Sequence, residues 1–400
     1  MDIKILKNAS ELDGSIFGEQ ILQHTESPSE YEGISRIQYY IYHSEDGTSE
    51  EILPNVEKYN IGTIINCSKG RKYLYFASLF FNADGNKIIS LIRYNVETKS
   101  TENVYSFEDD FMQYPSKKRL RMFVIEDLYI FLQKEFLTSN EKQTYAGFFK
   151  YELQFLNLKD NKSYSITDTS LVKHGISHLI QVSDNQCAIK TGFSMLEDNR
   201  YNELEEDEAS LETVSLVNIG QMISDLIISQ ERIVHTTLDQ AYYKTTIPYL
   251  KKIGNYLVYT CVDNEHKQEE IKFYNLTTGE TKSCIHQDVI RNTDLAKSYV
   301  INGEPYICIT KENQISFLNV STGKIDVVYE IENSSRTLKL ERILKDALIF
   351  SGVTKKTLLK KSRPFIDIYS FPENEVLLHE NSEVARIITN HDDTVFIIEK

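Results

Sequence analysis

Tryptophan is absent from this chain of 400 residues, and glycine (16) and proline (7) are scarce. So little Gly and Pro excludes collagen-like and low-complexity chains, whose compositions are built on those residues. The five cysteines, Cys67, Cys187, Cys261, Cys284 and Cys308, are odd in number, far apart and without a C-x-x-C pair. That pattern signals neither a disulfide framework nor a zinc ribbon, and it reads as small apolar core residues. No segment reaches the roughly 18 uncharged residues of a membrane helix, and no apolar stretch follows the N-terminal charges as in a secretory signal. The expectation is a protein of the reducing cytoplasm, away from membranes.

Positive charge is also in short supply, with 44 Lys and Arg against 59 Asp and Glu, a formal charge of −15. A field of that sign repels phosphate backbones, so no nucleic-acid partner is expected. The nine histidines are scattered, and no H-E-x-x-H, G-x-S-x-G or P-loop occurs. His174 and His178 would sit roughly 13 Å apart in a strand, too far to share a metal. No metal, no cofactor and no catalytic residue is assigned, and an enzyme is the less favoured reading.

What the chain does have is 25 Tyr and 19 Phe, and 41% hydrophobic residues overall. Aromatic and β-branched side chains suit a half-buried pleated surface. A strand, a polar turn and a second strand recur along the sequence. Ile271–Asn275 runs into Leu-Thr-Thr-Gly279, and Ile315–Asn319 runs into Val-Ser-Thr-Gly323. Weaker copies end at His43, Asn95, Asn157, Asn218 and Ser370, so the units sit about 44 to 62 residues apart, the spacing of propeller blades. Upstream of most copies lies another strand pair, such as Pro248–Lys251 with Tyr256–Cys261, giving four antiparallel strands per unit.

The fold predicted for residues 1–400 is therefore one all-β domain, a β-propeller of seven four-stranded blades. Residues 383–400 supply one strand pair and 35–54 the other, closing the ring as a composite blade. Asp2–Gln23 could form two further strands, which makes eight blades the alternative.

The turn pattern Asn-x-x-Thr-Gly-Glu and Asn-x-Ser-Thr-Gly-Lys resembles the bacterial propeller repeats of the YVTN, quinoprotein-like and TolB-like groups. That resemblance implies the fold and leaves function open. The Trp of quinone-binding repeats, sialidase Asp-boxes and WD40 repeats is missing, as is the Gly-Gly pair of kelch repeats.

Blade topology places connections between second and third strands on the face where propellers usually bind. An acidic run there contains Glu203, Glu205, Glu206 and Asp207, and a basic run contains Lys355, Lys356, Lys360, Lys361 and Arg363. These are the candidate partner-binding loops, for a protein or peptide. Aligning the innermost strands puts Arg121, His178, Lys297, Arg342 and Arg386 at similar heights, where converging side chains would make a basic axial funnel for an anion. Two functions follow: a noncatalytic interaction scaffold, or an enzyme or small-molecule sensor that binds an anionic ligand in that funnel.

Overall fold

Three of the recurring turns are built by an asparagine that ends a strand and folds its side chain back on the chain. In the computed structural model, Asn275 Oδ1 accepts from the amides of Thr277 (2.8 Å) and Thr278 (3.1 Å). Asn319 Oδ1 does the same for Ser321 (2.9 Å) and Thr322 (3.1 Å), and Asn95 Oδ1 for Glu97 (2.9 Å) and Thr98 (3.0 Å). Gly279 and Gly323 complete two of these turns at φ 74° and 66°, a region open to glycine without steric cost. The residue after the asparagine donates its amide to the first turn of the same sheet. Leu158 bonds to Leu128, Leu276 to Asn255 and Val320 to Pro305, each at 2.9 Å. Local sequence thus fixes register, and register fixes which face of every strand is buried.

The structure describes residues 2–6, 14–17, 20–28, 35–52, 62–108, 118–138, 148–167, 175–192, 212–228, 233–241, 245–263, 265–284, 298–311, 314–330, 336–343, 347–354, 362–370, 375–380, 384–389 and 394–399. Strand β1 (Asp2–Leu6) opens the chain, followed by β2 (Ser15–Phe17), β3 (Gln20–Pro28), β4 (Ser35–His43) and β5 (Thr48–Glu51). Next come β6 (Thr63–Lys69), β7 (Tyr73–Phe81), β8 (Lys87–Asn95) and β9 (Ser100–Glu108), then β10 (Lys118–Ile125), β11 (Tyr129–Thr138), β12 (Phe148–Asn157) and β13 (Lys162–Ile166). The following sheet has β14 (Ile176–Ser183), β15 (Gln186–Thr191), β16 (Glu212–Asn218) and β17 (His235–Ala241), with helix α1 (Ile219–Ile227) between the last two. After β18 (Thr245–Thr246) run β19 (Leu250–Ile253), β20 (Tyr256–Asp263), β21 (Gln268–Asn275) and β22 (Thr281–Cys284). Then follow β23 (Ser298–Ile301), β24 (Glu304–Lys311), β25 (Gln314–Asn319) and β26 (Ile325–Glu330), and β27 (Arg336–Ile343), β28 (Ala347–Thr354), β29 (Pro364–Ser370) and β30 (Glu375–Glu380). The last pair is β31 (Val384–Thr389) and β32 (Thr394–Glu399). None of the described helices is long and apolar enough to cross a membrane.

These strands form eight sheets, most of them four-stranded with neighbours in chain order. The fold is a β-propeller of eight blades, the alternative to the favoured seven. The difference arises at the N-terminus. Strands β4 and β5, expected to pair with 383–400, instead complete a sheet with β2 and β3. The C-terminal hairpin β31–β32 takes β1 as its third strand, parallel to β32, with Asp2 opposite Thr394 and Leu6 opposite Ile398. The physical reason is burial: Ile21 and Leu22 of β3 are core residues that need a sheet of their own, and Leu6 packs with Phe396 and Ile398.

The chain packs as two compact units. One comprises Met1–Gln23, Tyr42–Ser49 and Ile247–Lys400, the other His24–Ile41 and Glu50–Thr246. In the second unit, Ala77, Leu79, Ile89 and Leu91 pack against Leu120, Met122 and Leu132 of the next sheet. That sheet's other face, with Ile125, Phe131 and Phe155, meets Ile176, Ile189 and Val217. In the first unit the same layering joins Phe273 to Ile307 and Leu318, Phe317 to Phe350, and Ile366 to Ile397. Cys187, Cys284 and Cys308 are buried in these layers, Cys67 and Cys261 half-buried, and all five are free thiols.

The hairpin expected after Asn218 is replaced by α1. Asn218 caps it, its Oδ1 accepting from the Gln221 amide at 2.9 Å, and Ile219, Met222 and Leu226 bury one face against the sheet core.

Candidate functional site

Polar side chains inside apolar strands mark the place where charge gathers in the second unit. Strand β11 reads YIFLQKEFLT, and Gln133 in its middle is 1% exposed. Its amide spans to the next sheet, with Oε1 accepting from the Ile176 amide at 2.6 Å and Nε2 donating to the Ile176 carbonyl at 3.2 Å. A side chain here copies a strand's pairing and fixes β14 beside β11.

Arg121 of β10 lies opposite Gln133, so the two side chains share the face that meets β14. On β14, a register irregularity between Ile176 and His178 leaves Ser177 as the extra residue, a device that re-aims neighbouring side chains. Ser177 Oγ donates to the Lys190 carbonyl at 3.2 Å and lies 3.4 Å from His178 Nδ1. His178 reaches solvent opposite Lys190. Partial desolvation, then the charges of Lys190 and Arg121, hold its pKa below the ordinary histidine value.

Beneath it, Lys190 and Glu212 form an ion pair at 3.6 Å with both side chains 1% exposed. Burial lowers the Lys190 pKa, and Glu212 opposes that shift. Such a pair holds together only while both partners are present. His178 thus faces solvent on β14, while the lysine opposite it in β15 is buried and matched by a carboxylate of β16.

A second locality in the same unit surrounds Tyr39. Its ring lies 5.9 Å from that of His24 and 5.3 Å from that of Phe76. Burial raises its pKa, and nearby Cys67 and Glu26 add to the effect. Burial likewise raises the pKa of Cys67, away from the thiolate form. Lys69 is lowered to about 8, by desolvation. The cleft beside Tyr39, lined by Arg36, Gln38, Glu51 and Ile64 among others, has room of ≈ 20 Å³, about what one water molecule needs.

In the first unit, His379 Nδ1 is bonded to the buried carboxylate of Asp367 across β29 and β30, and the ring lies 6.0 Å from that of Phe365. No group of three or more metal-ligating side chains occurs among the described residues.

Of the five funnel candidates, Arg121 and His178 lie on neighbouring sheets of the second unit, and the Arg121 charge is the least of the three causes that lower the His178 pKa. Arg342 is in the first unit, half-buried, with Nη1 donating to the Glu341 carbonyl at 2.9 Å. Lys297 and the side chain of Arg386 lie outside the described residues. So do Glu203, Glu205, Glu206, Asp207, Lys355, Lys356, Lys360 and Lys361. Arg363 is exposed and closes the base of its loop, its amide donating to Thr354 Oγ1 at 2.9 Å and its carbonyl accepting from the Thr354 amide at 2.8 Å. Gln133, Lys190 and Glu212 were not anticipated, although a Gln-Lys pair within YIFLQKEFLT and a lysine within QCAIKT are the signal: polar residues in central strands that otherwise read as buried.

No protein-family model matches the chain, and no curated protein does. Solved structures similar to it include the β-propeller domain of the trilobed protease from Pyrococcus furiosus, at 9% identity and TM-score 0.41, covering 90% of this chain and 94% of that one. Dipeptidyl peptidase 4 of Porphyromonas gingivalis is similar at 13% identity and TM-score 0.46, covering 92% and 52%. TolB from Acinetobacter baumannii is similar at 9% identity and TM-score 0.28, covering 95% and 82%. The chain thus spans about half the length of that dipeptidyl peptidase.

Proposed function

We propose that this propeller is a noncatalytic interaction module that recognises a protein or peptide through charged connections between the second and third strands of its blades. The observation carrying the reading is topological. The acidic run falls between β15 and β16, and the basic run between β28 and β29. In an antiparallel four-stranded blade that connection leaves from the same end as the links between blades. Long charged connections on a rigid scaffold are where propellers and other repeat folds place recognition. Each run suits a partner segment of the opposite charge. The cytoplasm is the compartment this reading assumes.

The test is capture of partners from the host lysate by the wild-type chain and by two variants. One carries Glu203→Lys, Glu205→Lys, Glu206→Lys and Asp207→Lys, and the other Lys355→Glu, Lys356→Glu, Lys360→Glu and Lys361→Glu. The expected result is a stoichiometric protein lost from at least one variant at an unchanged melting temperature. Equal capture by all three, or no stoichiometric protein at all, overturns the reading.

A further inference from the structure

We propose that the outer edge of β1 receives an extended segment of a partner protein, which adds a fourth strand to the last blade. The site lies apart from the charged connections and does not depend on recognition by them.

The last blade is one strand short. Its sheet holds β31, β32 and β1, whereas each of the other seven holds at least four strands. β1 occupies the third position, and among the described residues no strand pairs with its other edge. Such an edge presents backbone N–H and C=O groups on which an extended chain can pair. Both faces of β1 are already packed. Ile5 and Leu378 of β30 lie against the cluster of Ile366 and Ile397, and Leu6 joins Ile21 and Phe396, with Tyr42 against them. What stays open is the place of one strand rather than an apolar face.

The fourth strands of other blades define what fits there. β13 (KSYSI), β17 (HTTLDQA) and β22 (TKSC) are largely polar, and each ends in a buried apolar residue, Ile166, Ala241 or Cys284. Ile166 and Cys284 each join the apolar layer shared with the following sheet. An equivalent residue beside β1 extends the cluster of Leu6, Ile21 and Phe396 in the same way. Charge favours a partner's strand over a second copy of this chain. Antiparallel pairing of two β1 strands (DIKIL) in full register sets the two Lys4 residues opposite each other, and like charges directly opposite are destabilising. The formal charge of −15 on each chain repels another copy and attracts a polar segment that carries Lys or Arg.

The probes are two labelled synthetic peptides, residues 161–167 and 234–241, which copy β13 and β17. Binding to the full chain is read by fluorescence anisotropy, and hydrogen exchange with mass spectrometry shows which amides slow. The expected result is saturable binding of at least one peptide, with exchange slowed in Lys4–Leu6 and unchanged in 193–211 and 355–361. Alternate amides of a strand point to one edge, so methylating one alternate set of the bound peptide's amides is expected to abolish binding, and methylating the other set to spare it. Ile166→Asp or Ala241→Asp in the peptide is expected to weaken binding by about tenfold, because the charge loses its water. Binding without slowed exchange in Lys4–Leu6, loss with both methylated sets or with neither, or no binding by either peptide overturns the site. Exchange in Lys4–Leu6 of the free monomer as slow as in β32 shows that the chain covers its own edge, and slowing that rises with protein concentration, with a dimer in sedimentation velocity, shows a second copy there. Either outcome also overturns the proposal.

Discussion

Lys190 and Glu212 show what a single residue contributes to this fold. Each side chain is 1% exposed, and the two charges lie 3.6 Å apart. Removing two ions from water is expensive, and their attraction in a poorly polarisable interior offsets that only while both are present. Lys190→Met leaves the buried carboxylate without its cation, and the expected loss is about 3–5 kcal/mol of unfolding free energy, measured by urea denaturation. The double variant Lys190→Met, Glu212→Leu removes both charges and fills the space with apolar atoms, so it is expected to regain most of that loss. A single variant as stable as the wild type would show that water reaches the pair. The double variant also removes the Lys190 charge that helps to lower the His178 pKa, so that pKa is expected to rise in the same samples.

At the scale of the element, the asparagine-ended turn was the most legible feature of the sequence, because its chemistry is local. Asn319 accepts from two amides, at 2.9 and 3.1 Å, and Gly323 takes φ 66° with nothing within 4 Å of the position a Cβ would occupy. Asn319→Ala leaves those amides to solvent and is expected to lower stability by about 1–2 kcal/mol. Gly323→Asn, whose side chain tolerates positive φ, is expected to cost less than Gly323→Val, which is strained by its branching alone. Melting temperatures of the three variants test this ranking, and a Gly323→Val protein as stable as Gly323→Asn contradicts it. Helix α1 was equally legible and was not read. Asn218 as a cap, with Ile219, Met222, Ile223 and Leu226 at helical spacing, is the signature of an amphipathic helix. The turn template suggested by the other blades concealed it. Aligning strands on their turns set Arg121 and His178, with three further residues, at similar heights on their blades. Gln133, Lys190 and Glu212 were not read, because whether a polar residue in a strand faces a partner depends on the neighbouring sheet, which local pattern does not contain.

At the scale of the whole molecule, the count of blades turned on long-range pairing, the property least encoded in any one segment. The C-terminal hairpin lacked a partner in the sequence pattern, and the strands at 35–54 looked free to supply it. The structure gives that role to β1, whose parallel register with β32 runs from Asp2–Thr394 to Leu6–Ile398. Within the first unit this strand buries Leu6 with Ile16, Ile21, Phe396 and Ile398, and places the Lys4 ammonium 5.7 Å from the centre of the Phe396 ring. Deleting residues 1–6 therefore strips apolar cover from the hairpin and opens the backbone edge of β32, a template for pairing between chains. The expected outcome is a lower melting temperature together with concentration-dependent association in sedimentation velocity. Leu6→Ala isolates the packing component, because it leaves the backbone pairing in place, and it is expected to lower the melting temperature without promoting association. If the truncated chain stays monomeric and melts with the wild type, β1 does not hold the last blade, and the pairing of 384–399 must be sought elsewhere in the chain.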